Sequence, residues 1–416
     1  MKVLHVSNSD LLGRGFAGYD LLAALAPKGV TGKQAVLHKT SDNPDVIALL
    51  NGPDEQRLLG SICAVEARHS MHDLLHPWGR TLAQDSAFVE ADLVHYHLIN
   101  NRVVSLLDMP WLTGLKPSVW SIHDPWAFTG HCIYPRDCER WMTGCEICPH
   151  LDYPYPMKED RAGRMYRVKK DVYARMQADV ILASEYMLDM ALRSPLMAQF
   201  DHLHRIPYGV DRNRYLPEAE RAQSRRILGI PQDDFVIAFR STTAGLKGLP
   251  EILDALSSER PARRSTLLTM DTRHLVHGLS RAYNIVDLGW VDDPVLHARL
   301  LSACDIFLMP STGEAFGLMA VEAMAAGRPV ICFEGTSLPE VTFAPECGIA
   351  VPMGDSIALR AAIDRLAADP TESRRRGELG RELVAEHYDQ DTVSDALLAV
   401  YEGVIERRRL RLIDRS

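Results

Sequence analysis

The stretch Asp305-Ile-Phe-Leu-Met-Pro-Ser-Thr-Gly-Glu-Ala-Phe-Gly-Leu-Met-Ala-Val-Glu-Ala-Met-Ala-Ala-Gly327 combines an apolar run, a polar turn and a helix-forming segment. Its apolar run, Ile306–Met309, has the length of a buried parallel strand. The helix is predicted from about Phe316 to Ala326, because Gly327 and the proline after it favour a stop. A strand that passes through a loop into a helix is the repeating unit of α/β proteins, so this stretch decides the fold class.

The same unit recurs along the chain in two series of short apolar runs that alternate with amphipathic stretches. The first series predicts the strands Lys2–Ser7, Lys33–Lys39, Leu93–His97, Val119–His123 and Asp179–Ser184. The second predicts Phe235–Phe239, Ser265–Thr269, Ile285–Leu288, Ile306–Met309, Val330–Phe333 and Ile349–Val351. We therefore expect two doubly wound, Rossmann-like α/β domains, whose ligands bind beyond the carboxyl ends of the strands.

The domain limits follow from the segment Ile206-Pro-Tyr-Gly-Val-Asp211, where proline and glycine interrupt regular structure. We expect a first domain over 1–207, a second over 208–388, and a final helix over 389–416 that packs across both. Asp389 or Asp391 is the expected N-cap of that helix.

Composition agrees with this organisation, since 416 residues exceed the usual size of one hydrophobic core. The formal charge of −9 argues against a protein that binds nucleic acid over a long footprint. The N-terminus lacks the apolar segment of a signal peptide, and no stretch approaches the roughly 20 apolar residues of a membrane span. We expect a cytoplasmic protein. The basic stretches 161–170 and 407–411 suit peripheral contact with anionic lipid, or equally a solvated helix face.

Two carboxylates frame the helix of the opening stretch: Glu314 precedes it and Glu322 lies about a turn inside. The backbone N–H groups of Phe316, Gly317 and Leu318, together with the positive end of the helix dipole, form an anion site suited to a phosphate. A cap and a solvated surface charge would explain the two glutamates equally well on spacing alone.

Two basic residues are expected at the same edge of the sheet. Arg240 ends one predicted strand, and Lys247 with Gly248 opens the helix that follows. Together they could neutralise a diphosphate leaving group without a metal ion. As an isolated pair they would be ordinary surface charges.

The segment Glu314–Ile331 closely resembles the E-x7-E motif of glycosyltransferase family 4. The resemblance runs from about Ala178 to Tyr401. It includes Gly289-Trp-Val291, Ala303–Pro310, Leu338-Pro-Glu-Val341 and the Ile206–Asp211 linker. It implies the GT-B architecture, in which two Rossmann-like domains face each other across a cleft, and a retaining reaction.

The resemblance further implies transfer of a hexose-type sugar from a nucleoside diphosphate to a saccharide hydroxyl, with no cofactor required for catalysis. Arg240 and Lys247 match the residues that bind the donor diphosphate, and Glu314 and Glu322 match those that hold the sugar and the ribose. A nucleotide-sugar epimerase and a non-catalytic partner subunit stay open as alternatives. The spacing Asp389-Gln-Asp391 has the D-x-D form of metal-dependent transferases of another fold, and the capping interpretation is preferred.

In the first domain, the glycine-rich turn Asn8–Gly18 leads into a predicted helix. Family 4 enzymes carry a Gly-Gly loop here that approaches the donor phosphates. Because Arg14 interrupts that loop, the resemblance carries over Gly15 alone.

Ser121-Ile-His123-Asp124 ends a predicted strand, where an imidazole can donate a hydrogen bond to a sugar hydroxyl or to developing negative charge. The family's His-Asp motif matches, which implies that His123 lines the sugar pocket near the reacting centre. His95 and His97 end the preceding strand, and either line the acceptor cleft or serve the structure.

Four cysteines lie in the segment 131–150: Cys132, Cys138, Cys145 and Cys148. Four thiolates in a reducing compartment predict a structural zinc site that would order an irregular insertion. Disulfides and free thiols stay open, because the spacing departs from that of common zinc ribbons. With Trp126-Ala-Phe-Thr-Gly130, the insertion resembles a subgroup of bacterial exopolysaccharide and O-antigen enzymes of the colanic acid type. That resemblance implies a lipid-linked oligosaccharide as acceptor.

Overall fold

The computed structural model of the chain describes residues 1–152, 156–215, 218–243, 245–271 and 273–414. The chain divides into two compact units, one formed by Met1–Tyr208 with Val393–Ser416 and the other by Gly209–Thr392. The first predicted boundary lies one residue before the end of the first segment. The residues of the final helix from Val393 onward belong to the first unit, and the expectation that this helix packs across both domains stays a prediction.

The first unit contains one seven-stranded parallel sheet with the strand order β3-β2-β1-β4-β5-β6-β7. Its strands are β1 Lys2–Ser9, β2 Thr31–His38, β3 Val46–Ala48, β4 Leu93–His97, β5 Ser118–Ile122, β6 Asp179–Leu182 and β7 Leu203–Arg205. Its helices up to Tyr208 are α1 Tyr19–Leu25, α2 Pro53–His69, α3 Trp78–Gln84, α4 Ser86–Glu90, α5 Met109–Leu115, α6 Ala162–Tyr173 and α7 Glu185–Arg193. The strand order reverses between β1 and β4, which makes this the switch point of the sheet.

The second unit contains a six-stranded parallel sheet with the order β10-β9-β8-β11-β12-β13. Its strands are β8 Phe235–Ser241, β9 Ser265–Asp271, β10 Asn284–Asp287, β11 Ile306–Met309, β12 Val330–Phe333 and β13 Ile349–Val351. Its helices are α8 Arg221–Ile227, α9 Leu249–Ser257, α10 Pro294–Ala303, α11 Leu318–Ala325, α12 Leu338–Val341, α13 Ser356–Ala368 and α14 Pro370–His387. Its switch point lies between β8 and β11, so the prediction of two Rossmann-like α/β units is confirmed.

The last helix, α15 Gln390–Ile413, completes the core of the first unit. Its side chains Val393, Leu397 and Tyr401 pack against Val3 of β1 and Leu93 of β4. Burying this apolar face removes it from water and stabilises the unit.

Two further expectations concern the N-cap of the last helix and the presence of membrane-spanning helices. The carboxylate of Asp389 accepts a hydrogen bond from the Asp391 N–H at 3.0 Å, as expected for an N-cap. Across the described ranges, no helix is both long enough and apolar enough to cross a membrane.

Candidate functional site

The loops that follow β8 and β11 meet at the switch point of the second sheet. The Thr312 N–H donates to the Leu246 carbonyl at 2.9 Å and ties one loop to the other. Gly248 has a φ of +68°, and a Cβ there would stand 2.0 Å from the Pro310 carbonyl oxygen. Only glycine allows this approach of the two backbones.

Two residues predicted separately, Lys247 and Glu314, form one ion pair across these loops. The Lys247 Nζ lies 2.7 Å from a Glu314 carboxylate oxygen, and both side chains are partly shielded, 27% and 14% exposed. The backbone carbonyl of Glu314 accepts a hydrogen bond from Ser337 Oγ at 3.1 Å. Ser337 follows β12, so this hydrogen bond holds the backbone of Glu314, while Lys247 holds its carboxylate.

Arg240 forms the other ion pair of this edge. Its guanidinium lies 2.6 Å from the carboxylate of Asp271, at the end of the neighbouring strand β9. Asp271 was not predicted from the sequence, although an acidic residue that ends a strand beside Arg240 was a usable signal. Both cations predicted to hold a diphosphate are therefore already paired with carboxylates.

Helix α11 begins two residues later than predicted. Gly317 is its N-cap with a φ of +93°, and a Cβ there would lie 2.4 Å from a methyl carbon of Leu338. Phe316 thus belongs to the preceding loop, where its buried ring packs edge-on against Tyr388 at 5.5 Å. The first helical amide is that of Leu318, and the amides of the first turn have no partner within the helix. Glu322 lies inside the helix, 3.9 Å from His297 Nε2.

A cavity of about 770 Å³ opens at the amino edge of the same sheet, away from these loops. It is lined by ion pairs, among them Arg225–Asp305 at 2.8 Å and Arg328–Glu218 at 2.6 Å. Asp305 also accepts from the Val236 N–H at 2.7 Å. These contacts join the starts of β8 and β11 and support the fold rather than the chemistry expected at the carboxyl edge.

At the switch point of the first sheet, four side chains form a row of hydrogen bonds. His5 Nδ1 lies 3.2 Å from His97 Nε2, and His97 Nδ1 lies 3.1 Å from His123 Nε2. His123 Nδ1 lies 2.5 Å from the Tyr208 hydroxyl. We call Tyr208, His123, His97 and His5 the histidine chain. Tyr208 and His5 were not singled out from the sequence, although His97 and His123 both fall at the carboxyl ends of neighbouring strands. His5 lies in the middle of the adjacent strand β1.

His95 and His97 do not line a cleft, because both are buried. His95 instead bonds to the hydroxyls of Tyr401 and Ser121, each at 2.7 Å. Burial lowers the pKa of His5 and of His123 to about 3, and lowers the pKa of His95 and His97 well below the ordinary value. The imidazoles are therefore neutral at pH 7.

The glycine-rich turn holds an aromatic ring against this row. Gly13 and Gly18 have positive φ angles, and Gly15 is not among the glycines that do. A Cβ on Gly18 would lie 2.8 Å from the Cβ of His5. The Phe16 ring lies 5.1 Å from the His123 ring, so Phe16 is a side chain of this loop that reaches the predicted site. A phosphate contact of Gly15 stays a prediction.

The four cysteines, all among the described residues, are close enough to act on the pKa of Cys132 but do not form a compact tetrad. Burial, with the charges of Cys148, Cys145 and Cys138, raises the pKa of Cys132 to about 12. Within the described residues, the groups of three whose ligand atoms all lie within 4.8 Å are His5, His95 and His97, and His274, His277 and Asp287; the cysteines form no such group. The zinc site stays a prediction.

One basic side chain in each of the two basic stretches makes internal contacts. Lys169 is buried and donates to the carbonyls of Trp126 at 2.6 Å and Thr129 at 2.9 Å. Burial lowers the pKa of its ammonium to about 7. Arg407 pairs with Asp179 at 2.5 Å. The expectation that these stretches face lipid or solvent is therefore wrong for Lys169, whereas Arg407 keeps 35% of its side-chain surface exposed.

Residues 246–369 match the family model described as glycosyl transferases group 1. A D-inositol 3-phosphate glycosyltransferase of Saccharomonospora viridis is 30% identical over 402 residues, which cover 91% of this chain and 86% of that protein. A putative colanic acid biosynthesis glycosyl transferase of Escherichia coli, WcaC, is 24% identical over 60% of this chain and 61% of that protein. With two further curated relatives, the alignments span 56% and 47% of those proteins' lengths.

Among solved structures, Anabaena Alr3699/HepE in complex with UDP-glucose superposes with a TM-score of 0.66. The alignment covers 97% of this chain and all of that chain at 18% sequence identity. At that identity the likeness shows a shared fold.

Proposed function

Because this chain belongs to the group 1 glycosyltransferases, we propose that it moves a hexose-type sugar from a nucleoside diphosphate to a saccharide hydroxyl with retention at the anomeric carbon. The observation that carries the proposal is the Lys247–Glu314 pair, 2.7 Å apart, beside the amides that begin α11. A cation and a helix N-terminus suit a phosphate, and a carboxylate suits sugar hydroxyls. The UDP-glucose bound to the Anabaena protein is a donor of this class.

Each residue then has a separate task. Arg240, Lys247 and the amide of Leu318 stabilise the departing diphosphate. The diphosphate either displaces the carboxylates that now pair with the two cations, or shares those cations with them. Glu314 accepts hydrogen bonds from the sugar and Glu322 from the ribose.

Retention without a nucleophilic carboxylate is explained by a front-side route. The bond from the anomeric carbon to the phosphate oxygen breaks as the bond to the acceptor oxygen forms. The acceptor's proton passes to the leaving phosphate, so His123 is needed only to orient the sugar.

The Glu314→Ala variant tests the assignment. Removing a group that acts at the reacting centre costs about 10²- to 10³-fold in kcat. The matched control is Glu346→Ala, an exposed glutamate of the same unit. Near-normal turnover by Glu314→Ala, with an unchanged melting temperature in both variants, would contradict the proposal.

Donor binding can be measured at one side chain, because Lys247 is the sole lysine of the sequence between Gly209 and Thr392. Amine acetylation followed by mass spectrometry therefore reports on Lys247 alone within that segment. A bound nucleoside diphosphate should protect it and should raise the melting temperature with concentration, since a ligand that binds only the folded state stabilises it. Labelling unaffected by every nucleoside diphosphate would argue for the non-catalytic alternative.

The epimerase alternative differs in what it needs. An epimerase converts a nucleotide sugar with no acceptor present, whereas a transferase does not. Proton NMR of candidate donors incubated with the protein alone separates the two, and a new nucleotide-sugar epimer would overturn the transferase proposal.

A lipid-linked oligosaccharide of bacterial surface polysaccharide synthesis is the proposed acceptor. The support is the similarity to the colanic acid biosynthesis enzyme of Escherichia coli and the cysteine-containing insertion. Transfer to membrane-extracted lipid-linked acceptors, compared with the same glycans after release from lipid, tests this point. Equal rates on the free glycans would remove the role of the lipid.

A peripheral membrane contact fits the exposed side chains of the first unit. Leu107, Trp111 and Leu115 follow one another at four-residue spacing and are each about half exposed. Lys116 follows them, and Arg408 bonds to the Gly114 carbonyl. Apolar and aromatic side chains bordered by cations suit the surface of an anionic bilayer.

Cosedimentation with vesicles that contain anionic phosphatidylglycerol tests this contact. We expect Trp111→Ala to weaken binding. Ile357→Ala, at an exposed apolar position of the second unit, should leave it unchanged. Equal loss in both variants, or no binding by the unsubstituted chain, would refute the surface.

A structural zinc ion held by Cys132, Cys138, Cys145 and Cys148 is also proposed. The support is the burial of Cys132 and Cys145 and the position of all four within one irregular segment. Four protein ligands would leave no open position for catalysis. One zinc per chain, lost in Cys138→Ser and kept in Cys63→Ser, is the expected result; a metal-free protein of unchanged stability would contradict it.

A further inference from the structure

The histidine chain has a direction, and that direction decides which nitrogen of His123 carries its proton. A neutral imidazole has one N–H donor and one acceptor nitrogen. Each of the two contacts between imidazoles, 3.2 Å and 3.1 Å, therefore needs one donor and one acceptor. A chain of three neutral rings has only two consistent arrangements, which run in opposite directions.

The buried end of the chain distinguishes the two arrangements. His5 Nε2 is buried and has no hydrogen-bond partner among the residues that the structure describes. If the donors point inward, His5 carries its proton on that nitrogen and buries an N–H with no acceptor. If they point outward, the same nitrogen keeps only a lone pair. Buried donors without partners are rarer than buried acceptors without partners, so the outward direction is favoured.

We infer that His5 and His97 are positioning residues that fix the proton of His123 on Nδ1, so that this nitrogen donates a hydrogen bond toward the position of the Tyr208 hydroxyl. His5 Nδ1–H donates to His97 Nε2, and His97 Nδ1–H donates to His123 Nε2. His123 Nδ1–H then faces an oxygen, at present the Tyr208 hydroxyl at 2.5 Å. The inference rests on the proposed function only in giving that donor a sugar oxygen as a competing partner.

The surroundings keep the chain neutral and in place. His97 and His123 stack with their ring centroids 5.4 Å apart and their planes 12° apart, and Phe16 packs against His123. The groups that act on the His97 pKa, besides burial, are the neighbouring imidazoles His95, His123 and His5. A proton shared along this row would therefore meet other imidazoles rather than a carboxylate.

A metal ion is the competing use for these side chains, because the ring nitrogens of His5, His95 and His97 lie within 4.8 Å of one another. Each of the four nitrogens of His95 and His97 already has a hydrogen-bond partner. Binding a metal would require several of these bonds to break. Hydrogen bonding is therefore the interpretation that uses every contact present.

The test is the tautomer of His123 in the full chain, read from nitrogen-15 spectra of histidine-labelled protein at pH 7.5. Loss of a signal set in His123→Gln assigns the residue. We expect the unsubstituted chain to have the Nδ1–H form. His97→Leu should move population to the Nε2–H form, and His97→Gln, whose amide can still donate to His123 Nε2, should restore Nδ1–H.

His95→Gln is the matched control. His95 lies two residues from His97 on the same strand and is equally buried, but it does not belong to the histidine chain. It should leave the His123 tautomer unchanged. With donor and acceptor present, His97→Leu should lower kcat about tenfold to a hundredfold more than His97→Gln does, while the KM for the donor changes less. Should His97→Leu fail to fold, the unsubstituted spectrum and His97→Gln still decide the question.

Three outcomes overturn the inference: an Nε2–H form of His123 in the unsubstituted chain, a tautomer unaffected by His97→Leu, or a metal ion bound to His5, His95 and His97 in the purified protein. Failure of the proposed function is a separate result. In that case no nucleoside diphosphate binds, while the tautomer still responds to His97 as described.

Discussion

At the switch point of the first sheet, between β1 and β4, the side chains are neutral imidazoles bonded to one another. At that of the second sheet, between β8 and β11, they are ions of opposite sign. The two sheets share the strand order third, second, first, fourth, fifth, sixth, so the backbone does not explain the difference. The side chains near the two switch points do.

Burial accounts for the contrast. His5 and His97 are almost fully buried, where a charge without a partner costs several kcal/mol. Arg240 and Lys247 keep 33% and 27% of their side-chain surface, and each has a carboxylate within 2.7 Å. A neutral, fixed edge suits the orientation of hydroxyls, and a charged, partly exposed edge suits the exchange of a bound carboxylate for a diphosphate.

The largest expected effect is on the charged edge. Arg240→Gln removes the guanidinium and deprives Asp271, only 14% exposed, of this countercharge. We expect kcat/KM to fall about 10²- to 10³-fold, because the leaving diphosphate loses a preorganised cation. Steady-state kinetics measures this effect. Arg260→Gln, at an exposed arginine of the same unit, should stay within twofold of the unsubstituted enzyme.

Turnover by Arg240→Gln equal to that of Arg260→Gln would contradict this prediction. Arg240 would then be a structural partner of Asp271, and its charge would not act on a ligand.

The next effect concerns the backbone beneath the charged edge. Gly248→Ala places a methyl group 2.0 Å from the Pro310 carbonyl at a φ of +68°. We expect a loss of about 2–5 kcal/mol in the free energy of unfolding, since backbone strain and overpacking add. Gly354→Ala is the control, because its φ is +76° and, among the described residues, no atom lies within 4 Å of the new Cβ.

Urea denaturation of the two alanine variants separates strain from contact. Gly354→Ala should lose only the strain component, about 1–2 kcal/mol. Equal losses would mean that the loops after β8 and β11 can separate, and that Lys247 and Glu314 are less firmly positioned than the contacts of Gly248 suggest.

The neutral edge predicts a smaller, pH-dependent effect. A histidine whose pKa is lowered on folding binds protons more readily when unfolded. The stability contributed by His5 is therefore complete above pH 6.5, and it is lost as the pH falls toward about 3, at about 1.4 kcal/mol per pH unit. Asp73 has the opposite sign, because burial raises its pKa to about 6 and folding then favours its protonated form between pH 6 and 3.8.

Hydrogen exchange at pH 7.5 and pH 5, corrected for intrinsic rates, checks this expectation. The strands β1, β4 and β5 of the first unit should lose protection on acidification more than β8 and β11 of the second. Equal loss in both sheets would show that the imidazoles take up protons without cost, and the contrast between the two edges would fail.

The sequence predicted the strands well, because each buried parallel strand is a short apolar run. All eleven predicted strands are present. The two that were missed, β3 Val46–Ala48 and β7 Leu203–Arg205, are three-residue edge strands. An edge strand has a neighbouring strand on one side only and buries fewer side chains, so its apolar pattern in the sequence is weaker.

The candidate site was predictable only one residue at a time. Lys247 and Glu314 are 67 positions apart, and nothing in their spacing shows that they pair. The same holds for Tyr208 and His123. The start of α11 was misjudged because Gly317 acts as a left-handed cap, and a sequence pattern does not distinguish a glycine at the cap from one in the first turn.

The smallest expected effect concerns the Asp389-Gln-Asp391 segment, which lies outside both edges. Substitutions there test whether the segment binds a cation. Asp389 accepts from the Asp391 N–H at 3.0 Å and pairs with Arg212 at 2.6 Å. Asp389→Ala should cost about 1 kcal/mol as a lost cap, and Asp389→Asn less, because asparagine also caps helices. Neither variant should change kcat, and added Mg²⁺ or Mn²⁺ should not change the rate. Thermal unfolding and initial rates measure both points.

A rate that required the metal, or that fell in Asp389→Asn while stability held, would show that this segment binds a cation. A bound metal ion would then supply positive charge to the donor in addition to that of Arg240 and Lys247.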